Sequence, residues 1–311
     1  MTSGSMLQST ASVRFAWGPS ALLDRAVGRV RQMRGSIDPE LFDLYLSGQK
    51  TLAEMGSGAA GLVMAAIRVP AYRISFSRLG ARAFALVPPT YANVEEAIKR
   101  ADAEVEMAFP GAEAIRAPFK TLAVAMGLAE YGRNNIAYVR GFGSYVRLRC
   151  YLVEADPGSS DPRQQIFLSR GFDEDFLAEA CLSCRACTSS CPTGALLEDS
   201  FPVDAGRCIT YLNEVQPPFP AWLDRAAHNC LIGCMRCQDV CPMNEGLLEV
   251  MDLPEGFSDE QTQWLLDLDN SGATAVPAGI KRVLEVCGLD YLEDVLPRNV
   301  QALAASGQLR W

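Results

Sequence analysis

The hydrophobic positions near the start of the chain recur with the period of a helix. In PSALLDRAVGRVRQM they are three or four residues apart, which places on one face Leu22, Ala26, Val30 and Met33. A second helix is expected over DPELFDLYLSGQKTLAEM, where Asp38 can cap the N-terminus and Pro39 suits the first turn. The chain from Gly18 to about Met55 is therefore expected to be helical, and the small, polar residues 1–12 are expected to fray.

The pattern changes to that of strands after residue 61. AYRISFSRL alternates apolar and polar positions, and ARAFALVPP is an apolar run that ends at paired prolines. An amphipathic helix is expected over NVEEAIKRADAEVEMAF and a further helix over APFKTLAVAMGL, and RLRCYLVEA is typical of a strand. Strands that alternate with helices predict a layered α/β domain of about 150 residues.

Helical periodicity returns after residue 250, in DEQTQWLLDL, AGIKRVLEVCGL and LEDVLPRNVQALAASG. Before the first cysteines, the acidic stretch FDEDFLAEA predicts a short helix. Cys150 and Cys287 have no partner at a metal-binding spacing, so both are expected to be small buried residues.

The stretch MGSGAAG has the spacing G-x-G-x-x-G, at Gly56, Gly58 and Gly61. A dinucleotide-binding fingerprint needs a strand before these glycines and an acidic residue about twenty positions later. Here the preceding residues have a helical pattern and the later region reads FSRLGAR. We therefore interpret the glycines as a flexible turn before a buried segment.

The composition is ordinary for a well-packed soluble protein, with 49% hydrophobic and 21% charged residues. The net charge of −9 argues against general nucleic-acid binding, because phosphate contacts need a basic surface. The longest apolar run, near Gly61 to Ile67, is too short for a membrane span, and the N-terminus shows no apolar signal core or twin-arginine pair. We expect a cytoplasmic protein without a membrane span.

The cysteines carry the strongest chemical signal. CLSCRACTSSCP has the spacing C-x2-C-x2-C-x3-C-P, which ferredoxins use to bind a 4Fe–4S cubane, and CLIGCMRCQDVCP forms a second run. The first run contains Cys181, Cys184, Cys187 and Cys191, the second contains Cys230, Cys234, Cys237 and Cys241, and between them lies Cys208. The cysteine before the proline normally reaches the other cluster. Two cubanes with crossed ligands are therefore predicted.

Disulfides and zinc are the competing interpretations. The cysteine count of 11 is odd and no export signal is visible, and in a reducing compartment C-x2-C arrays bind metals or act in redox reactions. Zinc sites favour paired ligands and often use histidine, but the only histidine is His228. We therefore favour iron–sulfur clusters.

Beyond the cysteine runs, three features resemble the epoxyqueuosine reductases and the related reductive dehalogenases, a group that carries cobalamin and two 4Fe–4S clusters. GLAEYGRNNIAYVRGFGSYVRL (Gly127 to Leu148) is similar to the segment in which a glycine-rich turn precedes a strand along the corrinoid. Cys208 has the family position between the runs, and LPRNVQALA (Leu296 to Ala304) is similar to a helix after the clusters. The resemblance covers about Ala114 to Met251 and is faint before Pro88.

The resemblance implies an α+β fold: an α/β, nitroreductase-like corrinoid-type domain, a ferredoxin-like double 4Fe–4S module and a helical C-terminal tail. The expected division is a helical segment at residues 1–56, the corrinoid and substrate domain at 57–170, the double-cluster module at 171–250 and the C-terminal segment at 251–311. An external electron donor such as ferredoxin or flavodoxin is the expected partner.

By position, the resemblance also implies the cluster ligands. The first cubane would be bound by Cys181, Cys184, Cys187 and Cys241. The second would be bound by Cys191, Cys208, Cys234 and Cys237. Spacing alone leaves Cys230 open in place of Cys208, because C-x3-C-x2-C is also compact; the family position favours Cys208.

The resemblance suggests three catalytic candidates, of which one is Glu113. Epoxyqueuosine reductases carry an aspartate, proposed as proton donor, in a D-T-x-P-L stretch; here the matching stretch is AEAIRAPFK, and counting back without gaps places Glu113 there. Dehalogenases use a tyrosine and an arginine, which EYGRNN provides as Tyr131 and Arg133. A packed tyrosine and a structural arginine are the alternative roles of these two. The residues implied to line the cofactor are Gly132, Asn134, Phe142, Gly143 and Ser144.

Two classes of function follow. The first is a cobalamin-dependent iron–sulfur reductase that removes an oxygen or halogen from a small or tRNA-linked substrate; the second is an electron-transfer protein that reduces a partner such as a corrinoid protein. The shortened N-terminal part and the lost aspartate pattern favour the second, and the retained segment Gly127 to Leu148 favours the first. The enzyme is our leading expectation. Because His228 lies between the cysteine runs, no obvious imidazole is left to ligate cobalt.

Overall fold

The structure, a computed structural model, describes residues 10–170, 177–197, 203–215, 218–267 and 275–311. The strands of this described part are β1 (Val13–Pro19), β2 (Gly61–Arg68), β3 (Ala71–Arg78), β4 (Ala81–Val87), β5 (Glu113–Ile115), β6 (Glu130–Tyr131), β7 (Ala137–Tyr138), β8 (Val146–Val153) and β9 (Val250–Asp252). The α-helices are α1 (Ala21–Gln32), α2 (Pro39–Tyr45), α3 (Leu52–Met55), α4 (Glu95–Ala108), α5 (Phe119–Ala125), α6 (Arg163–Arg170), α7 (Ala186–Ser190), α8 (Ile209–Glu214), α9 (Arg236–Asp239), α10 (Asp259–Leu266), α11 (Ala278–Val286) and α12 (Leu296–Ala305).

The described residues divide into two compact units. The first contains the chain up to Val69 together with Val94–Arg185, and the second contains Pro70–Asn93, Ala186–Leu197 and Val203–Trp311. This division differs from the four consecutive segments expected from the sequence, because both units are built from separate stretches of chain.

The first unit is built on an antiparallel sheet with the strand order β1-β2-β8-β5. β2 is central, and its alternate residues belong to two different hydrophobic clusters: Val63 packs with residues of α4, whereas Met64 packs with residues of α1 and α5. Helices thus cover both faces of the sheet. This double coverage explains why β2 reads as a continuous apolar run rather than an alternating one.

Strand β1 corrects the expectation that residues 1–56 form a helical segment. The fraying expected for residues 1–12 concerns mainly residues 1–9, which lie outside the described residues. VRFAWGP pairs with β2 from Val13↔Ile67 to Pro19↔Gly61, and it packs on both faces of the sheet, since Phe15 belongs to the cluster with α4 and Ala16 to the cluster with α1 and α5. The second expected helix is interrupted and forms α2 and α3 instead. The predicted cap is confirmed, because the Asp38 carboxylate accepts hydrogen bonds from the backbone N–H groups of Glu40 and Leu41.

The glycine-rich stretch is a turn, as predicted. Gly56 ends α3 in the left-handed region with φ 66°, which favours glycine. The buried strand follows the glycines instead of preceding them, and it begins at Gly61. A Cβ at Gly61 would lie 2.3 Å from Pro157 Cδ, so close packing alone explains this glycine.

The second unit contains a sheet with the order β4-β3-β9, in which β3 and β9 are parallel. Ile74 and Phe76 of β3 share a buried cluster with Ile280 of α11 and with Leu296 and Val300 of α12. Strands β3 and β4 were expected within the 57–170 domain; in the structure they form a core with the C-terminal helices. Their apolar face is buried only when those helices cover it.

Most other predicted elements are confirmed, namely α4, α5, β8, α10, α11 and α12. The acidic helix predicted over FDEDFLAEA falls largely on residues 171–176, which lie outside the described residues. Cys150 and Cys287 are buried, with exposed fractions of 1% and 0%, as expected. None of the helices in the described ranges combines the length and the hydrophobicity that a membrane crossing requires.

Candidate functional site

The segment that resembles the corrinoid-binding region begins with a hairpin formed by β6 and β7. The Gly132 N–H donates to the Ile136 carbonyl at 2.8 Å, and the Asn134 amide donates to the Tyr138 hydroxyl at 2.8 Å. A Cβ on Gly132 would lie 2.5 Å from a ring carbon of Tyr138. Asn135 has φ 59°, in the left-handed region. Gly132 and Asn134 therefore close the hairpin by packing against Tyr138.

The same hairpin holds the first cysteine loop. The Arg133 guanidinium donates from Nη2 to the Cys181 carbonyl at 2.8 Å and from Nε to the Cys184 carbonyl at 3.2 Å. Just upstream, the Ala178 N–H donates to the Tyr131 carbonyl at 2.8 Å. Arg133 thus orients two proposed cluster ligands through their backbone, and at least two of its donors serve this contact.

Tyr131 and Glu113 lie in different surroundings. The Tyr131 side chain is buried, its hydroxyl lies 3.2 Å from Thr121 Oγ1, and burial raises its pKa to about 12. Its hydroxyl therefore keeps its proton at neutral pH. Glu113 is exposed in the short strand β5, opposite Leu152 of β8.

The next turn contains the remaining candidate cofactor residues. Val139 and Gly143 exchange two backbone hydrogen bonds of 2.9 Å, and Gly143 has φ 62°. Phe142 is part of the hydrophobic core, and the Arg14 guanidinium lies 4.5 Å from its ring centroid. Ser144 is also buried. These residues stabilise the turn itself.

Lys120 is a cation at this hairpin that the sequence reasoning missed. Its ammonium donates to Asn135 Oδ1 at 2.6 Å and to the Asn135 carbonyl at 2.8 Å. Lys120 is exposed, and partial desolvation of its ammonium beside the hairpin lowers its pKa to about 8. In the sequence it was one charge on an amphipathic helix, and only the hairpin brings Asn135 to it.

In the second unit, the surroundings of Cys191 favour a thiolate. Burial raises its pKa, but the backbone N–H groups of Thr193, Leu196 and Ala195 and the Thr193 hydroxyl outweigh burial, so the net effect is a lowered pKa. Backbone N–H groups directed at a sulfur are also the contacts that stabilise iron–sulfur clusters.

Cys234 lies near two further cysteines of the proposed second set. Burial raises its pKa, and the negative charges of Cys208 and Cys191 raise it further. An N–H of the Asn229 amide, 3.1 Å from Cys234 Sγ, acts in the opposite direction. This coupling indicates that the three sulfurs lie near one another, as the ligands of one cluster do.

Cys230 differs from its neighbour. Its side chain is 1% exposed, and its Sγ donates to Asn229 Oδ1 at 3.2 Å. Burial and the charge of Cys234 raise its pKa well above the ordinary thiol value. Cys230 is therefore protonated in this arrangement.

Helix α12, whose sequence is similar to a helix after the clusters in the family, supports the second cysteine run. Its buried residue Asn299 donates from Nδ2 to the carbonyl oxygens of Asn213 and Leu231, both at 3.0 Å, and the Arg298 guanidinium donates to the Leu212 carbonyl at 3.1 Å. The LPRN stretch thereby links the end of α8 to the loop before Cys234.

His228 is buried against the same support. The Phe219 ring lies between the Arg298 guanidinium, 4.1 Å from its centroid, and the His228 ring, 4.5 Å away. Burial and the charge of Arg298 lower the His228 pKa to about 4, so the imidazole is neutral at physiological pH. The role of His228 is in packing.

Across the described ranges, no three His, Cys, Asp or Glu side chains are close enough to hold a single metal ion. A cubane differs from a single-ion site because each of its thiolates binds a separate iron. The N–H donors at Cys191 and Cys234 and the mutual repulsion of these sulfurs fit a cluster.

Comparison with known proteins identifies the cysteine region first. Residues 180–244 match the family described as a 4Fe-4S double cluster binding domain. All nine cysteines of the two runs and the stretch between them fall within this match.

Curated relatives are epoxyqueuosine reductases. The protein of Cyclobacterium marinum is 29% identical over 150 residues, which is 45% of this chain and 44% of that protein. The protein of Escherichia coli is 33% identical over 126 residues, 40% of this chain and 29% of that protein. The protein of Shewanella oneidensis is 49% identical over 67 residues, 21% of this chain and 17% of that protein. These matches span less than half of the relatives' length.

The fold leads to the same group. A selenomethionine-labelled epoxyqueuosine reductase superposes with a TM-score of 0.61 and 19% identity, covering 95% of this chain and 78% of that one. An epoxyqueuosine reductase solved with an epoxyqueuosine-modified tRNA-Tyr stem loop gives a TM-score of 0.61 and 19% identity. The superposition covers 94% of this chain and 77% of that one. The resemblance to epoxyqueuosine reductases inferred from the sequence is confirmed, and the mixed α/β fold resembles that of these reductases.

Proposed function

We propose that this protein is an iron–sulfur reductase similar to epoxyqueuosine reductase, with two 4Fe–4S clusters that pass electrons to a substrate. The observation that carries the proposal is the match of residues 180–244 to a double-cluster domain, combined with N–H donors directed at the sulfurs of Cys191 and Cys234. Each cluster transfers one electron at a time. The external donor would be a ferredoxin or flavodoxin.

The proposed ligand sets keep the crossed pattern. The first cluster would be bound by Cys181, Cys184, Cys187 and Cys241, and the second by Cys191, Cys208, Cys234 and Cys237. The electrostatic coupling of Cys191, Cys208 and Cys234 supports the second set. The S–H donated by Cys230 supports leaving that residue out.

The proposed substrate is tRNA-linked, on the strength of the relatives' name and of the solved complex with a modified tRNA stem loop. Removing one oxygen atom as water consumes two electrons and two protons. The two clusters would supply the electrons. Candidates for a proton donor are Tyr131 and Glu113 from the resemblance, and Lys120 from its lowered pKa.

Cobalamin belongs to the proposal as the group that would supply a strongly reducing cobalt centre. The segment Gly127 to Leu148 and the shared fold support it, and β6, β7 and the turn at Gly143 would form the protein wall. His228 is buried and packs against Phe219, so it would not ligate cobalt. A bound corrinoid would therefore have no protein imidazole on its cobalt. No described contact of the candidate cofactor residues is specific to a corrinoid, so we assign them no step.

A second candidate is an electron-transfer protein that reduces a partner and has no substrate of its own. The contacts of Arg133 favour it, because this catalytic candidate is bonded to the carbonyls of Cys181 and Cys184. The exposed position of Glu113 at a sheet edge favours it too.

Metal analysis of the anaerobically reconstituted protein tests the proposal. About eight irons per chain are expected from two cubanes. Stoichiometric cobalt after incubation with cobalamin would support the reductase, whereas eight irons without cobalt would favour electron transfer. Fewer than about six irons would contradict the two-cluster proposal.

A further inference from the structure

The side chain of Asn229 contacts two cysteine sulfurs and two backbone groups. Its Nδ2 donates to the Ala227 carbonyl and to Cys234 Sγ, both at 3.1 Å. Its Oδ1 accepts from the Met235 N–H at 2.9 Å and from Cys230 Sγ at 3.2 Å. All four hydrogen-bonding positions of the amide are used.

The two backbone partners fix the orientation of this amide. A backbone carbonyl only accepts and a backbone N–H only donates, so turning the amide over would place like groups against each other at Ala227 and Met235. Nδ2 must therefore be directed at Cys234, and Oδ1 at Cys230. Cys234 Sγ is the acceptor of its hydrogen bond, and Cys230 Sγ is the donor.

The amide thus distinguishes two neighbouring sulfurs. A thiolate bound to iron has lone pairs and no proton, which matches Cys234 as an acceptor. Cys230 must keep its proton to donate, and its almost complete burial prevents solvent from replacing Asn229 as its partner. A protonated thiol does not bind iron.

We infer that Asn229 raises the reduction potential of the second cluster through its N–H···S contact with Cys234, while its carbonyl keeps Cys230 protonated and outside the cluster. The inference rests on the proposed function, since it takes Cys234 as a ligand. Reduction adds negative charge that spreads onto the ligand sulfurs, and an N–H donor stabilises that charge. Asn229 acts through Cys234 and is a positioning residue.

The test compares the wild type with Asn229→Asp and Asn229→Leu. Asn229→Asp keeps acceptors for the Met235 N–H and the Cys230 thiol but replaces the N–H with a negative oxygen. Asn229→Leu removes every polar contact. Asn213→Leu is the matched control, because Asn213 is buried in the same unit and its amide donates to the Gly233 carbonyl at 3.0 Å instead of to sulfur.

Iron content is measured first and separates the two proposals. A wild type with fewer than about six irons contradicts the two-cluster function itself, whatever Asn229 does. With about eight irons present, the potentials of both clusters are then measured by redox titration followed by electron paramagnetic resonance.

We expect one cluster to become harder to reduce in both Asn229 variants, by roughly tenfold in its reduction equilibrium, or about 59 mV for a one-electron couple. The other cluster and the Asn213→Leu protein should keep wild-type potentials. Unchanged potentials in Asn229→Leu and Asn229→Asp at full iron content would overturn the inference. Loss of about four irons in both variants, with Asn213→Leu intact, would also overturn it, because Asn229 would then only hold the loop.

Discussion

The Nη2 atom of Arg133 lies 2.8 Å from the carbonyl oxygen of Cys181. Its Nε makes a second hydrogen bond, to the Cys184 carbonyl. An arginine of the segment that resembles a corrinoid site is therefore bonded to the loop that would hold the first cluster. This contact favours a structural role of Arg133 over a catalytic one.

Arg133→Met should weaken the first cysteine loop. Two charge-assisted hydrogen bonds disappear and two carbonyls lose a donor, so we expect a loss of about 3 kcal/mol in the free energy of unfolding and fewer irons per chain. Anaerobic urea denaturation and iron analysis measure both. Arg140→Met, at an exposed position of the same segment, is the control. Normal stability and iron content with lost turnover would instead support a catalytic Arg133.

Serine substitutions should separate Cys208 from Cys230. Cys208→Ser should lower the iron content from about eight to about four per chain, because the second cluster loses a ligand. Cys230→Ser should retain about eight, because its hydroxyl can still donate to Asn229 Oδ1. The reverse pattern would assign Cys230 as the ligand.

Tyr91 and Glu214 predict a pH dependence of stability. The Tyr91 hydroxyl donates to Glu214 Oε1 at 2.5 Å; burial raises the pKa of Glu214, and this hydrogen bond lowers it. A raised pKa means that the folded protein binds the carboxyl proton more tightly, so this contribution is full at low pH and lost as pH rises through the folded pKa. Tyr91→Phe should raise that pKa further and shift the loss to higher pH.

Unfolding free energies measured across the acid range would show that shift. Because Glu214 keeps an exposed surface, removing the hydroxyl should lower stability by only about 0.5–1.5 kcal/mol at neutral pH. Glu214→Gln is the control, since it cannot titrate and should remove this part of the pH dependence. Identical pH profiles for Tyr91→Phe and wild type would show that the hydrogen bond has no such effect.

His228 predicts a pH effect of opposite sign. Its pKa is lowered from 6.5 to about 4, so its contribution to stability is full above 6.5 and declines as pH falls toward about 4. His228→Phe retains a ring beside Phe219 and cannot be protonated, so its stability should fall less over this interval. Unfolding free energies of both proteins, measured at matched iron content, test this difference. Equal slopes would place the titration elsewhere.

Lys120 predicts an alkaline limit of turnover if it donates the proton in the proposed reaction. Its pKa of about 8 means that the ammonium is lost above that pH, so the rate should fall there. In Lys120→Met the rate should be low, and it should show no further fall above pH 8. Tyr131→Phe is the comparison, because a tyrosine with a pKa of about 12 would not make the rate fall near pH 8. A wild-type rate in Lys120→Met would exclude the role.

The cysteine spacing predicted a region that binds iron–sulfur clusters, and hydrophobic periodicity predicted most of the helices. The C-x2-C-x2-C-x3-C-P spacing depends on how a short loop surrounds a cluster, and the Asp38 cap depends on the four consecutive residues from Asp38 to Leu41. Such local geometry is encoded in neighbouring positions and needs no knowledge of the rest of the chain.

Which distant segments share a core becomes visible in the folded chain. β3 and β4 lie in the same core as α11 and α12, although some two hundred residues of sequence separate them. The apolar pattern of a strand predicts that one of its faces is buried. It does not predict which helix or strand packs against that face. The hydrogen-bond partners of Arg133, Lys120 and Asn229 could not be predicted for a related reason. The sequence around a polar residue does not indicate which distant group lies beside it after folding.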